Sequence, residues 1–236
     1  MARTKPLPHA DIGAISTLED PVRARLYAAV RQAGLPVTRE DAAAQAGISR
    51  KLAAFHLEKL VDAGLLESRA DERVPRRVGR TPKAYVPVQH AVTVSVPPRS
   101  PADLATMLVD AVVSEQPDES PEQARSRVAT QTGRTLGAEV DRTGARGRLG
   151  IERAMARAEE ALADRGYEPY RPTPERLRLR NCPFHPLAER APDLVCGLNL
   201  EFLGGFLEGL GAVAVEATLA PAPGECCVEV RARDTR

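Results

Sequence analysis

The sequence predicts an α+β protein of two domains. Residues 1–97 are predicted to form a winged helix-turn-helix arrangement of short helices followed by a hairpin. Residues 98–236 are predicted to form helices with a small antiparallel sheet. Three observations support this: apolar residues recur at helical spacing in several segments, they alternate in pairs of short segments, and three prolines occupy the last five positions of Val92–Pro101. Because proline interrupts helices and the ladders of central strands, we place the domain boundary in that segment.

The N-terminal domain is predicted to contain three capped helices. Each has a capping residue at its start (Asp20, Thr38, Ser49) and a glycine after its end, and they span Leu18–Ala33, Arg39–Ala46 and Arg50–Ala63. Two short strand candidates, Leu65–Glu67 and Ala84–Pro87, flank a polar, arginine-rich stretch. They predict a long hairpin.

The C-terminal domain is predicted to mix helices and strands. Helical spacing covers residues 102–113, 121–140, 150–165 and 198–210. Alternating segments predict a hairpin over 167–180 and two further strands over 213–219 and 226–232, with a Pro-Ala-Pro-Gly turn between these two.

Composition and charge limit the function classes. Residues 1–99 carry 16 Lys and Arg against 10 Asp and Glu, whereas residues 100–236 carry 17 against 22, so the N-terminal half is the one suited to a polyanion. No stretch approaches roughly 18 consecutive apolar residues, and the N-terminus lacks the apolar region of a signal peptide, which predicts a cytoplasmic protein. Nucleotide-binding and hydrolase motifs are absent from the sequence, so we predict no enzyme. A reactive thiol at Cys182, with His185 nearby, is the enzymatic alternative.

Three short helices and a basic hairpin predict a winged helix-turn-helix module that binds a double-stranded DNA operator. Gly47 allows the turn between the second and third helices, and the N-terminal residues of the third helix would enter the major groove. The predicted DNA contacts on this helix and on the wing are Ser49, Arg50, Lys51, Ala54, His56, Lys59, Arg73, Arg76, Arg77, Arg80 and Lys83. His56 has two interpretations, a backbone contact to DNA or a core histidine.

Three segments of this domain resemble a known family. They are residues 48–66 (Ile-Ser-Arg-Lys-Leu-Ala-Ala-Phe-His-Leu-Glu-Lys-Leu-Val-Asp-Ala-Gly-Leu-Leu), the Asp-Pro-x-Arg-x-x-Leu-Tyr of residues 20–27, and the Gly-Arg-Thr-Pro-Lys-Ala-Tyr of residues 79–85. In this order they resemble the ArsR-like bacterial transcriptional regulators over about residues 15–90. The resemblance implies a DNA-binding regulator. The alternative from the residues alone is a three-helix fold used for protein contacts.

The second group of candidate residues is rich in cysteine. Cys182 and His185 have two residues between them, Cys196 follows, and Cys226 and Cys227 lie in the last predicted strand. Thiolates and imidazole suit Zn(II) or an iron–sulfur cluster. Because neighbours on a strand point to opposite faces, only one of the last pair is expected at a shared site. Four buried, inert thiols are the alternative.

The pattern around these cysteines resembles the iron–sulfur-sensing repressors of the Suf operon, one branch of the same regulators. By spacing, Cys182, Cys196 and Cys227 match the ligands of that branch, which implies a [4Fe–4S] cluster as cofactor. The sequence lacks the further cysteine that the branch has between the second and the last, so His185, Cys226 or an outside group would be the fourth ligand. Zn(II) held by Cys182, His185, Cys196 and one of the last pair is the alternative cofactor. A regulator that binds a small apolar ligand beside Leu198–Leu210 without metal, or one whose C-terminal half binds another protein, also stays open.

A homodimer is the expected assembly, because winged-helix half-sites about one turn apart call for two-fold symmetry. The apolar stripe of Leu104, Leu108, Ala111 and Val112 on the helix of residues 101–113 is the predicted dimer contact, with packing on its own domain as the alternative.

Overall fold

A computed structural model describes residues 9–71, 82–141 and 149–233. The predicted α+β class is confirmed: helices alternate with two small antiparallel sheets. The chain divides into two compact units, residues 6–94 and residues 95–236. The division lies within the proline-rich segment.

The N-terminal unit contains the predicted helices and hairpin strands. Its described elements are α1 (His9–Thr17), α2 (Pro21–Gln32), β1 (Val37–Thr38), α3 (Arg39–Ala46), α4 (Arg50–Asp62), β2 (Leu66–Ala70) and β3 (Lys83–Pro87). The strands form one antiparallel sheet in the order β1-β3-β2. The sequence did not predict α1 or β1, because a two-residue strand carries no alternation of its own and is defined only by its partner β3.

Capping and burial explain these elements. The Asp20 carboxylate accepts hydrogen bonds from the backbone N–H groups of Val22 and Arg23 at 2.9 and 3.0 Å, which satisfies free donors at the start of α2. One apolar cluster joins the helices to the sheet through Leu26, Leu57, Leu60, Leu66 and Tyr85, each at most 1% exposed. Burying a side chain of this size contributes about 1.5–3 kcal/mol, so this cluster fixes the placement of α4.

The C-terminal unit has the predicted helices and strands, with one helix longer than expected and one four-residue helix that the sequence did not predict. Its described elements are α5 (Pro101–Val113), α6 (Pro121–Asp141), α7 (Ile151–Ala163), β4 (Pro169–Thr173), β5 (Arg176–Leu179), α8 (Leu187–Arg190), α9 (Pro192–Gly209), β6 (Val215–Leu219) and β7 (Val228–Ala232). The sheet order is β4-β5-β7-β6, antiparallel throughout. Helix α9 begins at Pro192, six residues before the predicted start, because proline is tolerated in the first turn of a helix. Cys196 therefore lies inside this helix.

Two glycine pairs let α6 and α9 approach to backbone contact. Gly133 and Gly137 of α6 and Gly205 and Gly209 of α9 face the other helix, and a Cβ built on any of the four would come closer than 3.0 Å to its backbone. No side chain larger than hydrogen fits between the helices at these positions. The four glycines therefore determine how α9 packs in this unit.

The expected dimer stripe on α5 faces the interior of its own unit, so that prediction is wrong for most of its residues. Leu104 and Ala111 are each 2% exposed and belong to the core, with Leu108 packed against it. Helical spacing brings them to the side that meets α6. Val112 is 73% exposed. Within the described ranges, no helix is long and apolar enough to cross a membrane.

Candidate nucleic-acid interface and cysteine cluster

Helices α3 and α4 are joined by a tight turn. Thr38 and Asp41 cap α3 reciprocally, and Gly47 ends it in the left-handed conformation with φ of 64°. The Ser49 hydroxyl then accepts the backbone N–H of Leu52 at 3.3 Å and begins α4. Local sequence thus sets the angle at which α4 leaves the turn.

Helix α4 has a buried face and an exposed basic face. Ala53, Leu57 and Leu60 are fully buried against the rest of the unit. The exposed positions of the helix are Arg50, Lys51, Leu52, Phe55, Lys59 and Asp62, and the predicted contact Ala54 is half-buried beside them. Such a face combines cations for phosphates with apolar groups for thymine methyls.

Several of the predicted DNA-contacting cations already meet carboxylates on the surface. Arg50 lies 3.2 Å from Glu40, and Lys59 lies 3.7 Å from Asp62. Both pairs are about half exposed, so each contributes only about 0–1 kcal/mol and exchanges readily for a phosphate.

The start of β3 is tied to α4 by hydrogen bonds. Glu58 of α4 accepts hydrogen bonds from the Lys83 ammonium and the Tyr85 hydroxyl, each at 2.8 Å. Burial and this carboxylate raise the pKa of Tyr85, so the hydroxyl stays protonated. The contact orients β3 against α4. The predicted wing contacts Arg73, Arg76, Arg77 and Arg80 lie outside the described residues.

Of the two interpretations of His56, its position favours the core histidine. The ring is 8% exposed, and its Nδ1 has no hydrogen-bond partner in the described residues. Its neighbour Phe55 is 56% exposed, with its ring edge-on to the imidazole at 5.3 Å between centroids. Phe55 is a further candidate DNA contact that the sequence did not predict. Its place off the core-facing positions of α4, between Lys51 and Lys59, was the available signal.

The four cysteines of the C-terminal unit meet in two pairs. Cys196 of α9 and Cys227 before β7 are at disulfide distance, with their Cα atoms 6.1 Å apart and a separation of 31 positions along the chain. Cys182, in the turn after β5, lies beside Cys226, and each thiol shifts the pKa of the other. Neighbours along an extended segment point in different directions, so Cys226 and Cys227 contact different partners.

A buried ion-pair network holds the segment that carries Cys226 and Cys227. The guanidinium of Arg178 on β5 donates to Glu225 at 2.7 Å and to Glu229 at 3.1 Å, one residue before and two residues after the cysteines. The backbone N–H of Cys226 also donates to Leu179 at 2.8 Å. These bonds fix the two sulfurs against the end of β5, where Cys182 follows.

The two thiols of the Cys182–Cys226 pair differ in acidity. Hydrogen bonding from Cys226, together with the backbone N–H groups of Phe184 and His185 and the charge of Arg99, lowers the pKa of Cys182 to about 7 against the opposing effect of burial. The same hydrogen bond and burial raise the pKa of Cys226. One thiol of the pair is thus partly ionised near neutral pH, and thiolate is the form that reacts with electrophiles and metals.

The His185 side chain is partly exposed and lies near a carboxylate. Its side chain is 39% exposed, and its Nε2 lies 3.8 Å from Glu189. Among the residues that the structure describes, no group of three or more histidine, cysteine or acidic side chains is arranged to hold one metal ion. The sulfur donors are of the type that an iron–sulfur cluster or Zn(II) takes, but their pairwise arrangement does not fit a single centre.

A comparison with protein families identifies the N-terminal unit. Residues 18–69, from the start of α2 to β2, match the model of a helix-turn-helix domain. This unit contains a helix-turn-helix domain, the kind of domain with which many transcriptional regulators bind DNA. The match covers the capped turn and the exposed face of α4 described above. A comparison of the whole chain with curated proteins finds no match.

Proposed function

We propose that the chain is a transcriptional regulator whose affinity for its DNA operator depends on the chemical state of the four cysteines. One observation carries this proposal: cysteines from three separate segments come together inside the C-terminal unit, with Cys196 and Cys227 at disulfide distance and Cys182 beside Cys226. Inert core cysteines need no such pairing, because a free thiol packs as a small apolar group.

Lys51, Phe55 and Lys59 are the central residues of the proposed DNA contact. They follow one another at four-residue spacing and so share the exposed face of α4. Ser49 and Arg50 stand at the end of the helix that enters the major groove in this kind of domain. Cations on this face supply phosphate affinity, and the aromatic ring supplies an apolar contact to bases.

Thiol oxidation is the chemistry that the pairing supports best. Closing the bond between Cys196 and Cys227 removes two protons and two electrons from the thiols and passes them to an oxidant such as diamide, which becomes the hydrazine. The Cys182 thiolate is the second group that responds to oxidants or electrophiles. DNA affinity follows these events only if the two states of the cysteines differ in their affinity for the operator.

An iron–sulfur cluster is the finer form of the proposal, with Cys182, Cys196 and Cys227 as ligands and His185 or Cys226 as the fourth. Zn(II) on the same residues is its alternative. The two-by-two arrangement of the sulfurs does not fit either group, so no step of the proposed mechanism runs through a metal. Either cofactor would require the Cys196–Cys227 contact to open.

The proposal includes a homodimer, which would present two recognition helices to two half-sites. Three valines, Val109, Val112 and Val113, are exposed at 59–75% on the outer side of α5. Val112→Glu should lower the molar mass in light scattering from dimer to monomer. Val213→Glu, at a valine 49% exposed elsewhere in the unit, is the control. A dimer unaffected by Val112→Glu would refute α5 as its contact.

The test begins with an operator selected from a random pool of DNA duplexes by the anaerobically purified chain. The same sample gives a visible spectrum, iron, sulfide and zinc contents, and a count of free thiols. Operator affinity is then compared in dithiothreitol and in diamide, for the wild type and for a variant with all four cysteines changed to serine.

We expect about a tenfold difference in affinity or more between the two conditions for the wild type, equivalent to about 1.4 kcal/mol. The variant should bind with one affinity in both conditions, equal to that of one of the two wild-type states. Iron with matching sulfide would establish the cluster form, and about one zinc per chain the zinc form. A wild type with equal affinity in every state would overturn the proposal.

A further inference from the structure

We infer that the C-terminal unit contains a binding site for a small organic cation with an apolar body. The site is a cavity of about 430 Å³ between α5, α6 and the segment around Pro183. This volume lies in the range of about 300–1,000 Å³ that is typical of small-molecule sites. The inference goes beyond the proposed function, which gives this cavity no role.

The floor of the cavity is apolar and aromatic. Met107, Tyr167, Phe184 and Phe202 line it, and each is at most 8% exposed. These side chains belong to the core, so the floor is held by the packing of the whole unit. A ligand that reached this floor would bury apolar surface, which contributes about 25 cal/mol of binding free energy per Å² removed from water.

The rim of the cavity is polar and carries a net negative charge. Asp103, Asp110 and Glu139 line it against one cation, Arg165. Asp103 already accepts a hydrogen bond from the Ser100 hydroxyl at 2.6 Å. An apolar floor under three carboxylates favours a ligand with a cationic head and an apolar body, and disfavours an anion of the same size.

The cavity is connected to the thiol pair. The Tyr167 hydroxyl on its floor donates to the amide oxygen of Asn199 at 2.7 Å, and the Asn199 amide nitrogen donates to the Cys226 sulfur at 3.2 Å. Phe184, which also lines the cavity, places its backbone N–H beside Cys182, where it lowers the pKa of the thiol. A ligand that shifts Tyr167 or Phe184 therefore changes the surroundings of both thiols.

The test uses two probes of nearly equal size and opposite charge. Isothermal titration of the full chain in dithiothreitol compares tetraphenylphosphonium, a cation, with tetraphenylborate, an anion. The double variant Asp110→Asn with Glu139→Gln removes two charges of the rim, and Thr135→Trp fills the space above the floor. Asp118→Asn, an exposed acid that does not line the cavity, is the matched control.

The rate at which iodoacetamide alkylates Cys182 is the second readout.

The cation should bind at one site per chain, at least about tenfold more tightly than the anion. The double variant should bind the cation about tenfold more weakly, and Thr135→Trp should abolish cation binding. Asp118→Asn should bind the cation with the affinity of the wild type. Bound cation should change the alkylation rate of Cys182. The comparison of the two probes uses the wild type alone, so it tests the inference even when a variant fails to fold. Equal binding of both probes, tighter binding of the anion, absence of cation binding, or cation binding that survives Thr135→Trp would each overturn the inference.

Discussion

Two neighbouring glycines in α9 offer a matched test of how the C-terminal unit is packed. A Cβ at Gly205 would come closer than 3.0 Å to the backbone of Thr130 on α6, whereas a Cβ at Gly204 would meet nothing within 4 Å. Both residues lie in the interior of the same helix. Gly204→Ala and Gly205→Ala therefore differ mainly in the contact with α6.

The magnitudes follow from this difference. Replacing a helix-interior glycine with alanine stabilises a helix by about 1 kcal/mol, and both variants receive this gain. Overpacking costs about 1–3 kcal/mol, and the upper value applies at Gly205 because the obstacle is backbone, which cannot rotate away. We expect Gly204→Ala to raise the free energy of unfolding by about 1 kcal/mol. Gly205→Ala should lower it by about 2 kcal/mol.

Differential scanning calorimetry of the full chain measures the outcome. For a unit of this size, 1 kcal/mol corresponds to roughly 3–5 °C, so Gly204→Ala should raise the melting temperature by about that amount and Gly205→Ala should lower it by roughly 6–10 °C. Equal stabilisation by the two substitutions would refute the close contact between α6 and α9.

Three further predictions concern the DNA-contacting face, the thiolate and the ion-pair network. In an anisotropy titration, Phe55→Ala should weaken binding to the selected operator about tenfold, because it removes one apolar base contact. Leu35→Ala, at a residue that is 66% exposed and lies outside α4, should leave operator affinity unchanged. Alkylation of Cys182 by iodoacetamide should accelerate as pH rises and level off above a midpoint near 7, because only the thiolate reacts; a midpoint near 9 would contradict the described hydrogen bonds. Glu229→Gln should lower the free energy of unfolding by about 3 kcal/mol in urea, since it leaves Arg178 partly unpaired while buried; a loss below about 1 kcal/mol would count against that network.

The helices of the N-terminal unit were predictable because their signals are local. Capping residues such as Asp20, Thr38 and Ser49 precede each helix within the sequence, and α3 begins and ends where they and the following glycine indicate. Strand β1 was not predictable, since only its pairing with β3 defines it.

The contacts between distant segments account for what the sequence left open. Helical periodicity shows that Gly205 lies in an apolar helix, but it does not identify α6 as the helix that requires a glycine there. Residue spacing likewise predicts that Cys182, Cys196 and Cys227 belong to one site. Their actual pairing depends on β7 lying beside β5, which places Cys226 next to Cys182. Sheet order of this kind cannot be read from alternation within single strands.

The measurement that tests the central claim most directly is the operator affinity of one sample carried from dithiothreitol to diamide and back. The wild type should change its affinity by about tenfold and recover it on reduction. The Cys196→Ser variant, which cannot close the contact with Cys227, should lose the part of this change that depends on that bond. A wild type that binds the operator with the same affinity throughout the cycle would contradict regulation through the cysteines and leave the chain a DNA-binding protein with another signal.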